Sequence, residues 1–307
     1  MRVPLNKIAD TAKLGAKTVK QSDDPVRVAV IVDDTATPFL IQTVRDAFVP
    51  QTTSAIVRVS RIADFDAALK RDTDIVLVLT CGSDALQDAV QRIVIAGAPV
   101  AVLCESSVEV PFIEQDTKML GLVSATDETT LLETLARWIL DHTEKQTAFA
   151  ANFPFMRIAA ANRVVTSSML TNMATGALIF VPGADYPVMV AAQIGMMIQL
   201  ASIFGKPLSF DRVYDAAGIL ASGLGVRAIT RQLCRGAGHY AFAVKAVMAA
   251  GGTYAMGRAL CSLYESDIDY SRANDAVSSF VSFVKRNLST KDVQQDVVDM
   301  TASRIVS

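Results

Sequence analysis

Short, continuously apolar runs recur through the first half of the chain. VRVAVIV, AIVRV, DIVLVL, PVAVLC and MLGLVS predict strands at Val26–Val32, Ala55–Val59, Asp74–Leu79, Pro99–Cys104 and Met119–Ser124. Runs without polar alternation are expected where helices cover both faces of a parallel sheet. Helical spacing fits Pro38–Phe48, Phe65–Lys70, Ser83–Ala96 and Thr129–Asp141 in between. Thr37 is placed to cap the first of these, with Pro38 at the position where a missing N–H costs nothing, and Ser83 is placed to cap the third. The alternation predicts a five-stranded parallel open sheet over residues 26–143, with right-handed crossovers.

Beyond residue 143 the pattern becomes helical throughout. Residues 144–163 read as a connecting helix, with a joint at Asn152-Phe153-Pro154-Phe155. Val164–Gly205 carries one charge, Asp185, and is interrupted by Pro182-Gly183-Ala184-Asp185. Pro and Gly stop helices, so the stretch predicts a central apolar hairpin with arms of about 18 residues and its tip at Pro182, Gly183 and Asp185. Such an arm is about 27 Å long, slightly short of a bilayer core of roughly 30 Å. A buried heart of a helical domain and a hairpin inserted in a membrane are both open readings. The first arm holds Thr166, Ser167, Ser168, Thr171, Asn172 and Thr175, which is polar for a lipid-facing span.

The helical domain is expected over residues 164–264. Arg227, Arg231 and Arg235 recur at i, i+4 and i+8 and so line one helix face. His239–Tyr264 is a further apolar helix, in which Ala249-Ala250-Gly251-Gly252 permits close approach of a neighbour. Residues 265–307 predict amphipathic C-terminal helices. Residues 1–25 predict an amphipathic arm and linker, with Lys7, Lys13, Lys17 and Lys20 away from its apolar side.

Charge changes the picture. Residues 26–150 hold 10 basic and 18 acidic side chains, net −8, while residues 151–264 hold 9 and 3, net +6. The basic half could face an anionic membrane surface or a protein partner, or the two halves could dock on each other. Nucleic acid is not an expected partner, because no aromatic platform accompanies the arginines. Cys81, Cys104, Cys234 and Cys261 show no C-x-x-C spacing, and the first twenty residues lack an apolar signal core. A reducing, cytoplasmic setting is the expectation, at the membrane surface if lipid is the partner.

Little in the pattern points to catalysis. After the first strand the chain reads Asp33-Asp34-Thr35-Ala36-Thr37-Pro38, with neither Gly nor Lys. A phosphate loop needs glycines so that backbone N–H groups can wrap the anion, and a Lys to meet its charge. Two carboxylates stand where phosphate would sit. Asp33 and Asp34 could hold Mg²⁺ weakly, or they simply end a strand and favour the next helix start. No cofactor and no enzymatic activity are expected.

Two resemblances bear on this reading. Asp74–Leu140 resembles the second half of an Era-like GTPase, with Ser124-Ala125 matching its fifth motif. Cys104-Glu105-Ser106-Ser107 stands where that family reads guanine with Asn-Lys-x-Asp. Asp33-Asp34 also resembles the paired Asp of response-regulator receiver domains, whose phosphoacceptor position is Thr80 here. Residues 164–264 resemble a bacterial helical domain of unknown function found downstream of Era-like GTPases. Val181-Pro182-Gly183-Ala184-Asp185, Gln193–Ala201, Phe204–Leu208, Arg231-Gln232-Leu233 and Gly252–Ala259 carry that likeness. It implies a degenerate GTPase-like or receiver-like domain fused to a helical module. A non-catalytic adaptor and a nucleotide- or phosphorylation-responsive switch are the two functional classes in view.

Overall fold

The computed structural model describes residues 23–65, 69–178, 185–206 and 241–265. Five strands form one parallel sheet: β1 (Val26–Val32), β2 (Ala55–Arg61), β3 (Ile75–Leu79), β4 (Val100–Cys104) and β5 (Leu120–Ser124), in the order β2-β1-β3-β4-β5. All neighbours are parallel, in a register that aligns Val28 with Ile75, Val76 with Val100 and Val100 with Leu120. β3 and β4 are buried at every position. Each Val, Leu or Ile side chain so buried contributes about 1.5–3 kcal/mol.

The two faces of the sheet are covered by different helices. Val28, Val30, Leu77 and Leu103 pack with α1 (Pro38–Ala47) and α3 (Glu128–His142). Ile31, Val76, Val78 and Val102 pack with α2 (Leu86–Ile95). This doubly wound, Rossmann-like arrangement follows from the side-chain period of two along each strand. Thr37 caps α1 as expected, accepting from the Leu40 N–H at 3.4 Å with Pro38 following. Asp127 caps α3, accepting from the Thr130 N–H at 2.8 Å.

The connecting segment expected over 144–163 is divided at the expected joint, Asn152–Phe155. α4 (Gln146–Asn152) ends at Phe153, whose backbone is extended, and a 3-10 turn follows at Pro154–Met156. A residue before proline is forced out of the helical basin, so a single helix cannot run through this point. α5 then spans Arg157–Leu178, and the boundary expected at Val164 falls inside it. α6 (Asp185–Ile203) and α7 (Ala241–Glu265) complete the described helices.

α5 and α6 correspond to the expected hairpin arms and touch each other, but both also pack on α7. The three form a trio, with the connection at residues 179–184 outside the described residues. Close approach within the trio depends on Gly257. A Cβ there would lie 2.6 Å from Val165 Cγ2 and 3.2 Å from Met196 Sδ. Among the described residues, no helix is long and apolar enough to cross a membrane.

One core runs through both halves. The α1–α3 face of the sheet continues through Phe149, Phe153 and Met156 to Val165, Leu200 and Tyr264. At the seam, Phe48 at the end of α1 meets Phe153 at 4.9 Å and Phe155 at 5.2 Å between ring centroids. Buried Asn152 ties the same seam with polar contacts. Its Oδ1 accepts from Thr52 Oγ1 at 2.6 Å and from the Thr52 N–H at 3.2 Å, and its Nδ2 donates to Ser54 Oγ and the Ala148 carbonyl. Arg163 on α5 pairs with Asp141 on α3, and Lys145 pairs with Asp74 at 2.7 Å.

Candidate functional site

In an open parallel sheet, ligands bind outside the carboxyl ends of the strands where the strand order reverses. Here that point lies between β1 and β3, whose winding runs in opposite directions. Asp33 follows β1 directly, and its N–H donates to the Leu79 carbonyl at 2.9 Å, extending the β1–β3 ladder by one bond. Thr80 follows β3 in the same way, donating to the Leu103 carbonyl at 3.0 Å. Strand pairing therefore delivers Asp33 and Thr80 side by side at the place where a nucleotide or a phosphoryl group would be read.

The geometry closes this place. Asp33 is 3% exposed, and its Oδ2 accepts from Thr80 Oγ1 at 2.6 Å and from Thr35 Oγ1 at 2.9 Å. Both hydroxyls are used a second time. Thr35 Oγ1 accepts from the Cys81 N–H at 3.1 Å, and Thr80 Oγ1 accepts from the Gly82 N–H at 3.0 Å. Thr37 Oγ1 donates to Glu105 Oε1 at 2.5 Å and so joins the β1 loop to the end of β4. Gly82 has φ +85°, and a Cβ on it would stand 2.4 Å from the Glu109 carbonyl oxygen. The loops after β1, β3 and β4 are thus stitched to one another by their own polar groups.

Electrostatics point the same way. Burial raises the Asp33 pKa, but the Thr80 hydroxyl, then the nearby Ser83 hydroxyl, the Thr35 hydroxyl and the Asp34 N–H together outweigh it and hold the carboxyl below its ordinary range. The described loop residues 33–37, 80–85, 105–109 and 125–127 contain Asp33, Asp34, Asp84, Glu105, Glu109 and Asp127 and no Lys or Arg. Burial raises the Cys81 thiol, with Glu109 adding to it. Burial and then Glu109 push Cys104 up to about 12. Both thiols are therefore protonated near neutrality and are poor nucleophiles.

Of the residues singled out from sequence, Asp33 and Asp34 separate. Asp33 is buried and engaged, whereas Asp34 is exposed. Among the described residues, no group of three His, Cys, Asp or Glu side chains is placed to hold a metal ion. Asp185 is the first residue of α6. Pro182 and Gly183 lie outside the described residues, as do Arg227, Arg231 and Arg235. Ser83 does not cap α2: that helix begins at Leu86, behind Ala85, with no side-chain cap. The Ser83 hydroxyl is buried without a hydrogen bond of its own, close enough to Asp33 to help lower its pKa.

No family model, curated protein or solved structure matches the chain. Sequence reasoning overlooked the Thr35–Asp33–Thr80 network and the Thr37–Glu105 contact. The available signal was a hydroxyl residue immediately after β3 and another two positions beyond the strand-ending Asp33.

Proposed function

We propose that this chain is a non-catalytic adaptor, in which an inert α/β unit is fused to a helical module that contacts an anionic membrane surface or a protein partner. The observation that carries this reading is the closed, acidic end of the sheet. An anionic phosphate placed there would meet the Asp33 carboxylate and its neighbours, with no cation in the described loops to offset them. Opening the space would mean breaking hydrogen bonds that already satisfy Asp33, Thr35 and Thr80. The motif likeness to helical domains that accompany Era-like GTPases supports a regulatory or scaffolding setting. The net +6 of residues 151–264 supports the helical half as the contacting half.

Calorimetry with Mg-GTP and Mg-ATP tests inertness. No binding is expected. A micromolar constant, worth about −8 kcal/mol, would overturn the reading in favour of a nucleotide-responsive switch. Flotation on anionic vesicles tests the contact surface. Replacing Arg227, Arg231 and Arg235 by Gln should weaken vesicle binding by roughly two decades, at about 1 kcal/mol per Arg, with a smaller effect at high salt. Unchanged vesicle binding at low salt would remove this stripe as the lipid contact.

A further inference from the structure

Contacts fix the directions of the three helices in the helical half. Asn162 meets Arg258 and Asn172 meets Thr253, so α5 and α7 run antiparallel. Gln193 meets Thr253 and Met196 lies against Gly257, so α6 and α7 run parallel. Arg163, towards the other end of α5, pairs with Asp141 of the sheet half. The C-terminal part of α5 and the N-terminal parts of α6 and α7 therefore share the end of the trio away from the sheet. This end is nearly free of charge. α5 has none after Arg163, α6 has only Asp185, and α7 has only Lys245 before Arg258.

Large apolar side chains stand exposed there. Phe242 is 53% exposed and Val247 67%, and Leu170 and Met173 are exposed on α5. Single exposed apolar residues are ordinary, but here they coincide with the missing charge. At about 100° per residue, Phe242 and Val247 lie about 140° apart around α7, so a partner's groove along one helix face would not cover both. A medium that surrounds the helix end would. The polar groups suit such a medium. Thr171 Oγ1 donates to the Ser167 carbonyl and Thr175 Oγ1 to the Thr171 carbonyl, each at 2.9 Å, so neither hydroxyl needs water for its proton. An unmet donor would be costly in hydrocarbon. The Asn172 amide turns inward and donates to Thr253 Oγ1 at 2.8 Å.

We infer that this end of the trio enters an anionic bilayer end-on, to a depth of about 10 Å at the boundary of headgroups and acyl chains. The inference rests on the membrane reading proposed above and adds which part inserts. At about 1.5 Å per residue, Phe242, Val247 and Met173 all lie within about 10 Å of Ala241 or Leu178, the described ends of α7 and α5 on this side. Lys245 stands one turn into α7, where its long stem can carry the ammonium group to headgroup phosphates. The net +6 of residues 151–264 draws the module to anionic lipid. Insertion to this depth needs no membrane-crossing helix, and among the described residues none is long and apolar enough to be one.

Fluorescence in the full chain reads the insertion directly. Phe242→Trp places an indole at this end, while native Trp138 is buried in the sheet half and supplies a constant background. On vesicles of phosphatidylcholine with about 30% phosphatidylglycerol, the added emission should shift to the blue and be quenched by bromine on the acyl chains. Binding without quenching would overturn the inference. Phe242→Gln with Val247→Gln leaves the charge unchanged and alters exposed positions only, so the fold is kept, which circular dichroism checks. This pair should weaken vesicle binding at least about 10-fold, because apolar burial is lost. The loss should persist at high salt, where attraction between charges fades. Binding that falls when Arg227, Arg231 and Arg235 become Gln, but stays unchanged in the Phe242/Val247 pair, would overturn the inference and leave the membrane reading standing. No vesicle binding by the unaltered chain would overturn both and leave a protein as the partner.

Discussion

The two halves of this molecule bury polar side chains in opposite places. In the sheet half, Asp33 sits at the rim, beyond the last apolar layer, among hydroxyls from its own loops. In the helical half, Asn172, Gln193 and Thr253 sit in the middle of the packing. The difference follows from what each core already determines. A parallel sheet fixes register through its backbone ladder and through β-branched side chains that fit one way. Its polar groups are left to close the loops. In the helical trio the close approach is set by one notch, where a Cβ on Gly257 would lie 2.6 Å from Val165 Cγ2, and the buried polar side chains bond to one another across the three helices.

The sharpest test of the comparison acts where the halves meet. Phe153 is fully buried, touching Phe48 across the seam and Phe149 within α4. Phe153→Ala should cost about 3–5 kcal/mol, the usual cost of deleting a buried aromatic ring. Because the core is continuous, Trp138 fluorescence, which reports the sheet half, and helical circular dichroism should shift together. Two separated melting transitions in the wild-type chain would show that the halves are independent and that the seam is only a contact.

A smaller effect is expected at the closed end of the sheet. Gly82→Ala must place a Cβ against the Glu109 carbonyl at a positive φ. Strain of that kind costs about 1–3 kcal/mol. The variant should melt earlier in denaturant titrations, and its β3 and β4 loops should show faster amide exchange. A stability equal to wild type would mean that these loops separate readily, and the crevice would have to be regarded as openable.

The sheet half was legible from the apolar runs because their length and continuity admit little but buried parallel strands. All five strands lie within two residues of the expected bounds. The site was less legible. Asp33 was visible as a strand-ending carboxylate, but its burial depends on Thr80, 47 positions away, delivered by the β1–β3 register. Spacing along the sequence carries no trace of such a pairing. Ser83 illustrates a local failure: it has the chemistry of a helix cap, yet its hydroxyl is drawn towards Asp33. In the helical half, the break at Phe153-Pro154 was readable as a joint. The role of Asn172 was not, because one polar residue among several on α5 gives no sign of which one faces inward.

The smallest predicted effect concerns the charge on Asp33. Its folded-state pKa is depressed, because hydrogen bonding to the carboxylate outweighs burial. A carboxyl that holds its proton less tightly when folded stabilises the fold above its unfolded pKa, about 3.9. That contribution is lost as pH falls from about 4 through the folded value, where the unfolded chain binds more protons. Asp33→Asn keeps an oxygen that Thr35 and Thr80 can donate to but removes the charge that strengthens those bonds. At neutral pH the variant should lose about 1 kcal/mol, the difference between charged and neutral hydrogen bonds. Its stability should then fall less steeply than wild type as pH drops below 4, so that the two denaturation curves converge in acid. Parallel curves across this range would show that the Asp33 charge is no better stabilised in the fold than in water. The hydroxyls would then hold the loops together by geometry alone.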